Sequence, residues 1–297
     1  MAVHILLARG ARHAEDLVLE RLETLLPRTP EPRLLARPVR LVVPSSSLRH
    51  HLAATLLARR GRAVAGLVIQ THRGLAHEAL ARLGEAVRPA DALLPLLGRR
   101  LARRQPPLER VLGELEDGYH AAAASLRDFL DAGLEPLHAE ALDELLAADG
   151  GAAASPAGVR RARALVATAR QLYELTEHQD LDHAARLLRR ARDAIAARPQ
   201  EALPTRALLI HGYADATAVA GDLLETLLRA YDGTAVIDQP PDPRRPGRRE
   251  RAFSTPLVLR FGQLAAAEEA AAAADEPAIE LLIAADPQRE ARAVARR

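Results

Sequence analysis

Residues 39–52 read VRLVVPSSSLRHHL, and this pattern indicates the class of the fold. Val39 to Val43 is a short apolar run that Pro44 ends, a pattern typical of a buried β-strand. The serines at 45–47 follow directly and are good N-cap residues, which predicts a helix from about Leu48 to Arg60. A strand that leads at once into a capped helix is the repeating unit of parallel α/β sheets.

The same unit recurs on both sides of this stretch. The other predicted strands are short and apolar throughout, which favours a parallel sheet with helices on both faces. The predicted strands are Val3 to Ala8, Leu67 to Gln70, Ala207 to His211 and Thr234 to Asp238. The helices predicted between them run from His13 to Leu26, from Thr71 through Leu83 and from Ala216 to Tyr231, and the Pro/Arg-rich segments Pro27 to Pro38 and Pro240 to Arg251 are predicted loops.

Between these units lies a block with helical patterns only. Its predicted helices are Ala90 to Arg104, Leu108 to Gly133, Leu137 to Ala148 and Val159 to Arg198, with a flexible break from Gly150 through Pro156. An insertion at a surface loop costs mainly loop-closure entropy, so a sheet domain tolerates it. We therefore predict a sheet domain formed by residues 1–86 and 201–252, interrupted by a helical insertion at 87–200.

The last segment, residues 253–297, is expected to be a linker followed by the start of another α/β domain. Ala265 to Ala274 is predicted to be an Ala/Glu helix or a linker, and Ile279 to Ala284 a strand. Asp286 is a cap candidate for a helix that begins at Pro287 and reaches Arg297 after about three turns. One strand and part of a helix cannot bury both faces, so the chain is expected to be a piece of a longer protein.

The composition excludes several kinds of chemistry. The 297 residues include no Cys, Trp, Lys or Asn, and all 41 basic residues are Arg. Disulfides, thiolate nucleophiles, zinc fingers, iron–sulfur clusters and lysine Schiff bases are therefore excluded for this stretch. The sequence pI is about 9.5, but the net charge of +2 argues against a generally cationic surface. No signal peptide or membrane span is evident, so no membrane contact and a cytoplasmic location are expected.

Five segments in order resemble a known family. They are the strand and Gly loop at 3–10, VVPSSSLRHHL at 42–52, VIQTHRGLA at 68–76, LLIHGYADATAVAGDLLETLL at 208–228 and TAVIDQP at 234–240. This order is similar to the first RecA-like domain of superfamily 1 helicases of the UvrD/RecB kind. More closely, it resembles the inactivated helicase half of AddB-like subunits of bacterial helicase–nucleases. IELLIAADPQREARAVARR at 279–297 is similar to the family's entry into its second RecA-like domain.

The resemblance implies a RecA-like parallel sheet with a large all-helical insertion, and a role in double-strand break repair and recombination. It also implies single-stranded DNA and an AddA-like helicase–nuclease subunit as partners. Family members often carry a C-terminal PD-(D/E)XK nuclease domain with iron–sulfur motifs, and nothing of that domain lies in residues 1–297.

The loop after the first strand lacks the residues that bind nucleotide triphosphates. A P-loop needs glycines, a Lys for the phosphate oxygens and a Ser or Thr for Mg²⁺. Residues 8–16 read ARGARHAED, with one Gly, no Lys and no hydroxyl. Glu15 and Asp16 are expected where phosphate would lie, so the loop is predicted to be a plain strand-to-helix turn.

The second nucleotide motif of the helicases is missing as well. Their Asp-Glu pair, which holds the metal and orients water, corresponds here to His211-Gly212. Asp215 is interpreted as a cap for the following helix, and Asp238-Gln239 resembles the next motif. Without a lysine and an acidic pair, no ATPase site, cofactor or metal is expected, and the chain's enzyme status is left open.

The candidate DNA contacts lie after the second and third strands. Ser45, Ser46 and Ser47 open a helix, with Arg49 and His50 one turn along, and Thr71, His72 and Arg73 repeat the arrangement. Hydroxyls and free N–H groups at a helix start suit a phosphate, and in the helicases these two turns touch single-stranded DNA. The alternative is that Ser45 and Thr71 merely cap helices.

Other groupings of polar residues are poor candidates for a site. His50 and His51 face different directions, and His178 and His183 lie five residues apart on a predicted solvated helix, so neither pair suits a metal. Ser47, His50 and Asp91 lack the elbow of a catalytic triad. The Arg runs are interpreted as solvated helix faces or as DNA-facing stripes, and they comprise Arg99, Arg100, Arg103, Arg104 and Arg186, Arg189, Arg190, Arg192.

Two functions of different classes therefore stand as expectations. The first is a non-catalytic, helicase-like scaffold that binds single-stranded DNA. The second is a protein–protein assembly module that docks a motor subunit without touching DNA. A basic groove across the strand ends near Ser45 and Thr71 would favour the first, and acidic side chains there would favour the second.

Overall fold

The computed structural model describes residues 2–27, 32–148, 155–239 and 254–270. Its centre is a six-stranded parallel sheet in the order β3-β2-β4-β5-β1-β6. The strands are β1 His4–Ala8, β2 Val39–Val43, β3 Leu67–Thr71, β4 Ala207–His211, β5 Thr234–Asp238 and β6 Ala267–Glu269. Because all strands are parallel, their carboxyl ends share one edge of the sheet.

Helices cover both faces of the sheet and form the insertion. They are α1 Ala11–Leu25, α2 Pro32–Ala36, α3 Ser46–Arg60, α4 His72–Arg82, α5 Leu94–Ala102, α6 Pro106–Leu112, α7 Gly118–Asp131, α8 Pro136–Ala148, α9 Pro156–His178, α10 Ala184–Ala197, α11 Pro199–Ala202, α12 Ala218–Tyr231 and α13 Thr255–Phe261. No described helix is both long and apolar enough to cross a membrane.

The strands alternate between two apolar cores. Leu41 and Val43 pack in one core with residues of α1 and α3. Val42 points to the opposite face, into a core formed with residues of α4, α10 and α12. This alternation buries both faces of the sheet, as strands that are apolar throughout require. The predicted fold class, a RecA-like parallel sheet with a helical insertion, is thereby confirmed.

The two ends of the insertion lie side by side. The Asp182 N–H donates to the Arg88 carbonyl at 2.7 Å, and the Ala90 N–H donates to the Asp182 carbonyl at 2.9 Å. The chain therefore leaves the sheet domain and returns to it through one short parallel bridge. The helices between these points are α5 to α9, whereas α10 packs against α4 and α12 on the sheet.

Several predicted elements differ in the structure. The helix predicted over Val159 to Arg198 is two helices, with Asp180 at φ +53° in the turn between them. Leu108 to Gly133 is also broken, because the chain turns back so closely that a Cβ on Gly118 would lie 2.5 Å from the Leu112 carbonyl oxygen. The short helix α2 interrupts the predicted loop at 27–38.

The segment predicted to be an Ala/Glu helix or linker is partly a strand. Ala267–Glu269 forms β6 beside β1, and the Ala270 N–H donates to the Leu7 carbonyl at 3.1 Å. Pairing with an open sheet edge has overridden the helix preference of Ala and Glu. The helix α13 before it was not predicted, although its Phe261 is fully buried. The predicted loop at 240–251 and the predicted elements after 278 lie outside the described residues.

Candidate nucleic-acid interface

The two predicted DNA-contacting turns are neighbours at the carboxyl edge of the sheet. β2 pairs with β3, and Val43 lies opposite Thr71. The Ser45 hydroxyl accepts the Leu48 N–H at 3.2 Å, and the Thr71 hydroxyl accepts the Gly74 N–H at 3.1 Å. Both hydroxyls therefore act as helix caps, while the remaining groups of the two turns differ sharply.

The α3 turn is open and positively charged. Ser45, Ser46 and Ser47 are exposed, and no acidic residue lies in the first turn of α3. The Arg49 guanidinium lies 3.0 Å from the His50 ring, and within the described part of the chain no carboxylate pairs with it. Exposed N–H groups at the positive end of a helix dipole, with such a guanidinium beside them, suit a phosphate group.

The positive charge of the α4 turn is largely offset by its surroundings. His72 Nδ1 lies 3.0 Å from the Tyr213 hydroxyl, and burial lowers the pKa of His72, with a smaller contribution from Arg73. Arg73 forms an ion pair with Asp91. Asp131 lies close enough to influence Arg73, and burial raises the pKa of this carboxyl. The structure thus brings all eight predicted residues to one edge. Of the two turns, only the α3 turn presents an arginine without a carboxylate partner among the described residues.

The loop that resembles a P-loop is closed by the protein's own side chains. Gly10, at φ +121°, is the N-cap of α1. The Arg9 N–H donates to His13 Nδ1 at 3.1 Å. Asp238 ends β5 beside this loop, with Ala8 of β1 opposite it. Burial raises the pKa of Asp238. One backbone group that would meet a phosphate in a P-loop is therefore already bonded, and a carboxylate lies beside the loop.

The prediction that Glu15 and Asp16 lie where a phosphate would bind is wrong. Because α1 begins at Ala11, its first turn contains no acid, and both residues lie in the next turn. Glu15 pairs with His51 at 2.8 Å and Asp16 with Arg59 at 3.5 Å, so both face α3. The carboxylate close to the start of α1 is instead that of Asp238, whose pKa burial raises against the smaller, lowering effect of the Gly10 N–H.

The end of β4 leaves no room for the acidic pair of an ATPase. Gly212 has φ +83°, and a Cβ at this position would overlap the Leu48 Cδ2 atom of α3. His211 before it is buried, and burial lowers its pKa. Asp215 is not the cap of α12, because Thr217 caps that helix and Asp215 accepts the Ala216 N–H. A side chain that orients water for hydrolysis cannot replace Gly212 without left-handed backbone strain and displacement of the Leu48 side chain.

A charge signal in the sequence was missed. Pro32 to His77 contains eight Arg and no Asp or Glu, although the whole chain has 39 acidic residues. In the structure this run forms β2, β3, α3 and the start of α4. These elements lie together at the β3–β2 end of the sheet. A count of Asp and Glu residues along the sequence is enough to identify this end of the sheet.

The second Arg run is neither a solvated face nor a DNA-facing stripe. Arg186 and Arg190 bind the carboxylate of Asp182, which is 1% exposed, at 2.8 and 2.7 Å. Arg189 binds Glu177 at 3.3 Å. These side chains hold α10 to the ends of the insertion, and only the run at 99–104 is exposed as predicted.

His183 is not on a solvated helix. It is buried, caps α10 by accepting the Arg186 N–H at 3.4 Å, and burial lowers its pKa to about 4. His178 ends α9, so the two histidines lie on different helices. The described residues offer no metal centre, since no three His, Asp or Glu side chains among them converge.

Comparison with known proteins adds no assignment to this geometry. No known protein family matches this chain, and neither does any curated protein.

Proposed function

We propose that this chain is a non-catalytic, helicase-like scaffold that holds single-stranded DNA by its phosphates, as part of an AddB-like subunit acting in double-strand break repair. The observation that carries the proposal is the N-terminus of α3, where Ser46 and Ser47 are exposed and Arg49 has no carboxylate partner among the described residues. The acid-free run of residues 32–77 adds further arginines at this end of the sheet, although Arg40, Arg59 and Arg73 pair with carboxylates from outside the run.

The absence of motor chemistry is supported by two separate features of the same edge. The Arg9 N–H is already bonded to His13, and Leu48 occupies the space that a side chain on residue 212 would need. A scaffold of this kind needs a separate motor protein. The proposal includes an AddA-like helicase–nuclease subunit in this role, and a cytoplasmic location.

A binding titration tests the proposal. Fluorescence anisotropy of a labelled oligothymidylate should show affinity that falls steeply with salt concentration, because phosphate contacts release counterions. Arg49→Ala should weaken binding and reduce the magnitude of the salt slope by about 1. Arg73→Ala is the matched control, and it should change the affinity less because Asp91 already pairs with that guanidinium. Equal effects of both variants, or binding that ignores salt, would contradict the proposal.

The assembly-module alternative is favoured by one observation. Asp91 binds Arg73, and Asp131 lies near enough to Arg73 to interact with it electrostatically, so two carboxylates flank the α4 turn. Carboxylates repel a phosphate backbone and suit contacts with a protein. If the oligothymidylate does not bind at low salt, this alternative replaces the first proposal.

A further inference from the structure

The edge strand β3 lacks the usual protection against pairing with another chain. Leu67–Thr71 reads LVIQT, without a charge or a proline, and only β2 pairs with it in the described part of the chain. The Val39 N–H donates to the Gly66 carbonyl at 2.8 Å, so the backbone groups of Leu67 and Ile69 point away from β2. Exposed edges of this kind attract an added strand unless charges or prolines block them. The opposite edge, β6, reads AEE and carries such charges.

An apolar groove lies directly beside this edge. It has a volume of about 360 Å³ between α3 and β3, and its walls include Leu56, Leu57, Leu67 and Ile69. Leu57 is 48% exposed and Ile69 is half-buried, so the groove opens to solvent. Side chains on alternate residues of an added strand would enter it, as in recognition by strand addition.

The groove is asymmetric in charge. Arg49 and His50 lie at the end nearest the start of α3, and none of the described residues that line the groove is acidic. This end adjoins the carboxyl end of β3, which Thr71 terminates. An acidic side chain on the added strand would meet the Arg49 guanidinium there.

From the open edge, the apolar groove and this charge, we infer that β3 and α3 form a docking site for an extended segment of a partner protein. The segment adds a strand to β3, places alternate apolar side chains between α3 and β3, and carries an acidic residue at the Arg49 end. The site is separate from the phosphate contacts of Ser46 and Ser47, although it shares Arg49 with them.

Synthetic peptides test this inference on the full chain. Two fluorescein-labelled peptides of alternating valine and threonine would carry paired aspartates at one end or the other, since the added strand has one of two directions. One of them should bind, and its version with lysines in place of aspartates should bind about tenfold more weakly. Hydrogen exchange should slow at the Leu67 and Ile69 amides, because these groups then donate to the peptide.

Leu57→Glu supplies the decisive variant. It places a charge in the groove at an exposed position, so folding is retained, and it should weaken peptide binding about tenfold. Leu137→Glu is the matched control, because Leu137 is 73% exposed on the insertion, and it should leave peptide binding unchanged. Oligothymidylate binding should persist in Leu57→Glu, which separates this inference from the proposed DNA contact.

Three results would overturn the inference. They are failure of both aspartate peptides to bind, equal binding to wild type and Leu57→Glu, and protection of the Leu67 and Ile69 amides by oligothymidylate instead of peptide. The last result would assign the groove to nucleic acid.

Discussion

At the scale of single residues, a few small contacts determine what the carboxyl edge of the sheet can bind. Gly212 brings the end of β4 against the Leu48 side chain, and Asp238 lies at the end of β5 beside the Gly10 loop. The caps Ser45 and Thr71 were predictable because N-cap preference is local. The position of Asp238 beside the Gly10 loop was not predictable from local sequence. It depends on the pairing of β1 with β5, which places Ala8 opposite Asp238.

Gly212→Ala should destabilise the protein by about 3 kcal/mol, since it adds left-handed backbone strain to an overlap with Leu48. Gly84→Ala is the matched control, because Gly84 has φ +74° and a Cβ there would meet no atom within 4 Å. That control should cost about 1 kcal/mol, from backbone strain alone. Urea denaturation measures both, and equal losses would show that Leu48 does not restrict residue 212.

His183 should make stability depend on pH. Burial lowers its pKa to about 4 from 6.5, so the folded state holds the ring neutral. This contribution is complete above pH 6.5 and is lost as the pH falls toward 4, because the unfolded state then binds the proton more readily. His183→Asn keeps an oxygen that can cap α10. Between pH 6.5 and 4, the stability of this variant should fall by on the order of 3 kcal/mol less than the stability of wild type.

Denaturation curves at pH 7, 5.5 and 4 would measure the difference between His183→Asn and wild type. The exposed His50→Asn variant is the control and should follow the wild-type pH dependence. A His183→Asn protein with the same loss between pH 7 and 4 as wild type would refute the role of this histidine.

At the scale of elements, apolar periodicity predicted the sheet strands β1 to β5 well but failed where tertiary contacts decide. β2 begins and ends as predicted, because Pro44 and the serine caps are local signals. β6 was missed, since Ala and Glu favour helix and only the open edge of β1 selects a strand. The position of α10 on the sheet also depends on distant residues, through the contacts of Asp182.

Asp182→Asn should loosen the junction between the insertion and the sheet. It removes a buried charge that binds both Arg186 and Arg190, and breaking such a pair costs roughly 3–5 kcal/mol. Asp143→Asn breaks the exposed pair with Arg163 on the insertion and should leave the urea midpoint unchanged. If both variants unfold at the wild-type midpoint, Asp182 does not hold the junction.

At the scale of the whole molecule, the distribution of charge matters more than its sum. The net charge of +2 suggests a neutral surface, yet residues 32–77 contain eight Arg and no acid, and Arg49 among them has no carboxylate partner in the described part of the chain. The α4 turn beside it is balanced by Asp91. The sequence predicted that both turns lie at one edge, but pairing of Arg73 with a residue 18 positions away required the fold.

The central claim is that this edge can hold a strand of DNA but cannot bind and hydrolyse ATP. Isothermal titration of the purified chain with MgATP tests it most directly. We predict no saturable heat, because the Arg9 N–H is already bonded to His13, Asp238 places a carboxylate beside the loop, and Leu48 leaves no space for a side chain at residue 212. Saturable binding of MgATP that Gly10→Asp abolishes would contradict the claim.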